Sequence, residues 1–103
     1  FDIKTDQAVS CALILNEVIT NSIKYAFNTH YDNNTIEIRV SRITNQIVLM
    51  VHDNGPGFAI PDLQKNQTSL GMSLIEALTE QLEGSYEYHN VGGTTFTLSF
   101  KLN

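Results

Sequence analysis

Over residues 8–27 the apolar positions recur three or four apart. Ala8, Ala12, Leu15, Ile19, Ile23 and Phe27 carry the rhythm, and no Gly or Pro interrupts it between Gln7 and Phe27. That spacing predicts an amphipathic helix with this stripe turned to the core and Thr5 or Asp6 as its cap. Phe1–Thr5 alternates weakly and predicts an edge strand. After the polar loop from Asn28 to Asn34 the period changes to two. Ile36, Ile38 and Val40 alternate with Glu37, Arg39 and Ser41, which predicts a strand over Thr35–Arg42 with one buried face. Thr44-Asn45-Gln46 makes the turn. Ile47–Val51 is a short, continuous, β-branched apolar run, the mark of a central strand.

Residues 59–69 are polar and irregular. A second helix follows, capped by Thr68 or Ser69, with Gly71, Leu74 or Ile75, Leu78 and Leu82 inward and Gly84 as its C′ terminator. Ser85–His89 and Thr94–Lys101 then form a hairpin around Asn90-Val91-Gly92-Gly93, with Phe96, Leu98 and Phe100 on one face of the last strand. The elements add up to an α+β fold: a two-layer α/β sandwich whose mixed, mostly antiparallel sheet carries its helices on one face.

At 103 residues the chain is long enough for one real core and too short for two. It is expected to be a single domain, residues 1–103, cut from a longer protein, since it opens on Phe1. A net charge of -5 argues against sequence-independent nucleic-acid binding. No run approaches the ~18 apolar residues needed to span a membrane. The single cysteine, Cys11, excludes an internal disulfide, fits a reducing compartment and is expected to be an inert buried thiol.

Chemistry enters on the polar side of the first helix. Glu17, Asn21 and Lys24 lie at i, i+4 and i+7, within roughly 60° of one another and about 10 Å end to end. A carboxylate, an amide oxygen and an ammonium in one row suit a magnesium–phosphate group, although a solvated helix face has the same look. Asp53-Asn54-Gly55-Pro56-Gly57 follows the buried strand. A carboxylate held there can accept from an exocyclic amine, and the glycines permit close approach of a ligand. A hairpin turn is the competing reading. Ser69-Leu70-Gly71-Met72 opens the second helix, where free N–H groups favour an anion. Gly92-Gly93-Thr94 by itself reads equally as a turn. His30, His52 and His89 have no metal-ligand spacing, and neither a P-loop nor a Ser–His–Asp nucleophile is present.

Taken in order, Asn16–Phe27, Asp53–Gly57, Ser69–Ile75 and Gly92–Phe96 resemble the N, G1, G2 and G3 boxes of the ATP-binding catalytic domain of bacterial sensor histidine kinases, within the wider gyrase, chaperone and histidine kinase ATPase group. The likeness runs from about Ala8 to the end. It is closest to a kinase subgroup with Glu in the N box and a short lid, here Phe58–Leu70. The resemblance implies a Bergerat-type fold that binds Mg-ATP and, in the parent, hands the γ-phosphoryl to a histidine on a neighbouring domain for a response regulator.

Residue by residue, it implies Asn21 as the magnesium ligand and Lys24 on the phosphates. Tyr25 lines the ribose and phosphate side, and Asp53 takes the adenine amino group. Gly55 and Gly57 form the floor and lid hinge. Leu70, Gly71 and Met72 offer backbone N–H groups to the phosphates, and Thr94 supports the adenine end through a water. Glu17 matches the water-activating base of gyrase-like ATPases. Ser69 departs from the pattern by replacing the first Gly of a GxG. The phosphoaccepting, dimerising helical hairpin is absent from this stretch, so the domain is expected to be a monomer, cytoplasmic, with a parent that is soluble or membrane-anchored. Two other functions share these boxes: an anti-sigma-factor-type serine kinase and an ATP-hydrolysing gyrase- or chaperone-like domain.

Overall fold

The computed structural model describes residues 3–23, 35–54, 70–90 and 92–102, with the backbone alone described for residues 70–72. Helix α1 (Thr5–Asn21) leads to strands β1 (Ile36–Ile43) and β2 (Gln46–Asp53), helix α2 (Leu70–Gln81), and strands β3 (Ser85–Asn90) and β4 (Thr94–Lys101). The sheet order is β1-β2-β4-β3, and each of the three pairings is antiparallel. The expected mixed character is not seen among the described strands. The reason is topological: β2 and β3 run the same way, but β4 returns between them, so the parallel pair never touches.

The core lies between sheet and helices. Along β2, Ile47, Leu49 and Val51 point to the helices while Val48, Met50 and His52 point away. Phe96, Leu98 and Phe100 of β4 take the same side in register with them, and Ile75 and Leu78 of α2, with Leu82 just past its end, close over the layer. Tyr86 and Tyr88 of β3 extend it sideways. Tyr86 stacks on Phe96 at 5.7 Å between ring centroids, and Tyr88 meets the same ring edge-on at 5.0 Å.

Helix α1 is rotated from its expected setting. Gln7, Ser10, Ile14, Val18 and Asn21 are buried, whereas Ala12 is exposed and Ile23 is 59% exposed. Gln7 tolerates burial because its amide donates to the Lys101 carbonyl at 3.0 Å. The expected Ala8–Ala12–Leu15 stripe instead lines, with Ile3, Cys11, Val40, Ile47 and Leu49, an apolar cleft of about 250 Å³ beside β1. The buried face expected for β1 is likewise only partly covered: Ile36 is half-buried, but Ile38 and Val40 are 45% and 54% exposed. Among the described residues, the two helices sit over the other strands and leave this edge open.

Element ends correct further expectations. Thr5 is already helical, so no strand reaches it. Lys4 is the N-cap residue, with no side-chain cap bond, and the Asp6 carboxylate accepts the Gln7 N–H at 2.9 Å in the first turn. Strand β2 runs two residues further than expected, to Asp53. The expected continuation of α1 to Phe27 and the cap at Thr68 or Ser69 lie outside the described residues. Gly84 is not the C′ residue of α2. Glu83 takes the left-handed conformation (φ 55°), with its N–H on the Glu80 carbonyl and the Gly84 N–H on the Thr79 carbonyl. That is a Schellman ending shifted by one residue. Gly84 is needed for space, since a Cβ there would strike the Ser99 carbonyl.

Candidate functional site

Asp53 is the last residue of β2, and strand alternation places it on the same face as Ile47, Leu49 and Val51. Its carboxyl is therefore carried under the helices, and the residue is only 1% exposed. A buried carboxylate is tolerated when its oxygens have donors. Here each has one: the Ser22 hydroxyl donates to Oδ2 at 3.1 Å and the Thr94 backbone N–H donates to Oδ1 at 3.1 Å. Ser22 and Ile23 follow α1 in a π-helical turn. Thr94 opens β4 directly opposite Asp53 in the ladder. The Thr94 hydroxyl donates to Asn90 Oδ1 at 3.1 Å, which ties the β3 end to the same cluster.

The approach of the β3–β4 connection depends on glycine. Gly93 has φ +113°, and a Cβ there would run into the Asp53 carbonyl. Gly92-Gly93-Thr94 is therefore more than a turn: it lets the loop backbone lie against the strand end that carries the carboxylate.

Asn21, the residue before Ser22, is buried at the same end of the sheet. Its side chain meets the phenol of Tyr88. Burial raises the Tyr88 pKa above the usual tyrosine range, and a hydrogen bond from Asn21 works against that rise. Glu17 is half-buried one helical turn earlier. Leu70, Gly71 and Met72 form the first turn of α2, where backbone N–H groups have no intrahelical acceptor and the helix dipole favours an anion. Lys24, Tyr25, Gly55 and Gly57 lie outside the described residues.

Of the expected site residues, Asp53, Thr94 and Asn21 are thus brought to one end of the sheet. Ser22, Asn90 and Tyr88 join them without having been anticipated. No local period singled out Ser22, whose partner lies 31 residues away in sequence.

The remaining chemistry-bearing groups lie elsewhere. His52 is on the opposite face of the sheet, its Nδ1 2.7 Å from Thr95 Oγ1, and exposed His89 pairs with Glu87 at 3.1 Å. His30 lies outside the described residues. Among the described residues no three His, Cys, Asp or Glu side chains gather as a metal site. Cys11 is half-buried, and desolvation pushes its thiol pKa up. A cleft of about 490 Å³ between the helices, lined by Val9, Ser10, Leu13, Leu78 and Gln81 among others, does not include the Asp53 cluster. Among the described residues no helix is long and apolar enough to cross a membrane.

The fold is the one seen in histidine kinase ATPase domains. The blue-light activated histidine kinase of Erythrobacter litoralis EL346 superposes with a TM-score of 0.85 at 24% identity, over 98% of this chain and 32% of that one. The Acinetobacter baumannii histidine kinase AdeS gives 0.72 at 26% identity, over 91% and 46%. Residues 6–103 match the family of histidine kinase-, DNA gyrase B- and HSP90-like ATPases, and the chain belongs to that family. Curated relatives include the sensor histidine kinase PdtaS of Mycolicibacterium smegmatis, 28% identical over 96 residues, and that of Mycobacterium tuberculosis, 27% identical over 82. The match covers 90% of this chain but 19% of the M. smegmatis protein, so the chain spans about a fifth of that relative's length.

Proposed function

We propose that this chain is the single ATP-binding catalytic domain of a sensor histidine kinase. In the parent it transfers the γ-phosphoryl of Mg-ATP to a histidine on a neighbouring phosphoacceptor and dimerisation domain, from which a response regulator takes it. The observation that carries the reading is the Asp53 carboxylate, buried at a strand end with a donor on each oxygen. Such a group is costly unless it serves something, and an acceptor fixed in an apolar wall suits the exocyclic amine of adenine.

The donor set fits magnesium. With no acidic or histidine cluster among the described residues, the ion would be held by the phosphates and the Asn21 amide oxygen, the arrangement a reluctantly dehydrating cation prefers. When bound, magnesium supplies charge neutralisation on the β- and γ-phosphates. The chain's own part is positioning. Asp53 holds the base, and the α2 N–H groups at Leu70, Gly71 and Met72 together with Lys24 hold the phosphates. Tyr25 flanks the ribose, while Gly55 and Gly57 allow the lid to close. As the P–O bond to ADP breaks and the bond to the acceptor imidazole nitrogen forms, Lys24 and those N–H groups stabilise the charge that moves onto ADP.

The test is phosphotransfer by the full-length parent with γ-labelled ATP. Label on protein that is lost in acid and kept in base marks phosphohistidine. Acid-stable label would mark a serine kinase. Release of free phosphate without labelled protein, abolished by Glu17→Gln, would mark a gyrase-like ATPase.

A further inference from the structure

Ser22 carries no assigned role, yet its hydroxyl makes one of the hydrogen bonds that hold Asp53. The carboxylate is buried, 1% exposed, and is held by donors on opposite oxygens: the Thr94 N–H on Oδ1 and the Ser22 hydroxyl on Oδ2, both at 3.1 Å. The first donor is a backbone N–H of β4, so only proline at position 94 would remove it. The second is a side chain on a different layer, at the end of α1, 31 residues away in sequence. The Cβ–Cγ torsion of a carboxylate has a broad, soft profile of its own, and with these two donors on opposite oxygens the group cannot turn without breaking a bond.

We infer that Ser22 is a positioning residue for base selection: its hydroxyl locks the Asp53 carboxylate in the orientation that accepts the 6-amino group of adenine. The inference rests on the nucleotide-site reading above and adds to it the residue that sets discrimination at position six of the purine. Ser22 itself is 4% exposed and need not touch the base. It acts by orienting the acceptor, and it links the end of α1 to the strand end. The hydroxyl is still able to accept one bond after donating to Asp53, so the coupling does not leave a buried polar atom stranded.

Two ligands separate this from a general packing role: ATP and its analogue with hydrogen in place of the 6-amino group (purine riboside triphosphate). Calorimetric titration of the 103-residue chain gives the affinity ratio of ATP to the 6-hydrogen analogue. That ratio isolates the 6-amino contact, because the sugar, phosphates and metal are the same in both. In Ser22→Ala the ratio is expected to fall about two- to tenfold, the range of one hydrogen bond, while the analogue binds as it does to the wild type. In an Asp53→Asn background the same Ser22→Ala change should leave the ratio unaltered, since the group it positions is gone.

Ser22→Cys, close in size with a weak donor, covers the case in which the alanine variant does not fold, and its ratio should fall as well. An unchanged ratio in Ser22→Ala or Ser22→Cys overturns the inference while base recognition by Asp53 stands. Equal loss of both ligands also overturns it, because that is the signature of packing. A wild type that binds ATP and the analogue equally overturns the base-recognition reading itself, and this inference falls with it.

Discussion

Replacing Asp53 by Asn changes almost no volume, so its effect reads electrostatics and hydrogen bonding. The Thr94 N–H can only donate, so the Asn amide oxygen must take the Oδ1 position and its NH2 group the Oδ2 position. The Ser22 hydroxyl can reverse and accept from that NH2, which keeps the cluster paired and the fold intact. What the variant loses is a charge-assisted acceptor for the adenine amine. Such a bond contributes about 1.5–3 kcal/mol, so Asp53→Asn should weaken ATP binding about ten- to a hundredfold. GTP offers an acceptor oxygen at the same position and should bind the wild type poorly, whereas the new NH2 can donate to it, so the ATP-to-GTP ratio should shrink more than ATP affinity alone requires. The assay is titration calorimetry of both proteins with both nucleotides at fixed magnesium, after circular dichroism has shown matched folds. A folded Asp53→Asn that binds ATP like the wild type refutes the placement of adenine on this carboxylate.

Asn21→Ala should weaken Mg-ATP binding strongly and adenosine binding hardly at all, and titrations with and without magnesium check it; equal losses would mark Asn21 as structural, through Tyr88. Gly93→Ala forces a side chain into the Asp53 carbonyl at a positive φ and should destabilise the domain by about 1–3 kcal/mol or more, read by denaturant unfolding, with ATP affinity falling alongside. Burial raises the Cys11 thiol pKa, so at any pH below it less thiolate is present than in an exposed cysteine. Its reaction with a disulfide reagent should accelerate with pH to an inflection above the usual ~8.5, and an inflection at or below that value would contradict the burial.

The parts of the fold that could be read from sequence were those governed by local period. The continuous apolar run Ile47–Val51 and the alternation along Thr94–Lys101 both report the sheet, and the strand's two-residue period carries Asp53 to the same face as Ile47, Leu49 and Val51. The setting of α1 was not legible. Ala8 and Ala12 read as core and Gln7 as surface, yet Gln7 is buried by a hydrogen bond to a carbonyl 94 residues away, a partner no local window contains. The apolar face of β1 reads as buried because pattern shows which side is greasy but not whether a helix lies over it. Asp53 stood out at the end of an apolar run before a glycine pair. Ser22 did not, because its meaning lies in a contact with β2 and its immediate neighbours are ordinary helix residues. Glu83 was passed over for Gly84, the usual left-handed terminator, because the glycine is taken up by its approach to β4.

The sheet's innermost seam is closed by the strand made last among those described. β4 fills the gap between β2 and β3, so until it leaves the ribosome both neighbours show it an unsatisfied edge and the Asp53 carboxylate lacks its Thr94 donor. At about 5–20 residues per second, the 41 positions separating Asp53 from Thr94 correspond to roughly 2–8 s of synthesis. During that interval the Asp53 carboxylate is without the Thr94 N–H and the strand that carries it has an open edge, so the cluster at this end of the sheet is assembled from β4 backwards rather than in the order in which its residues are made.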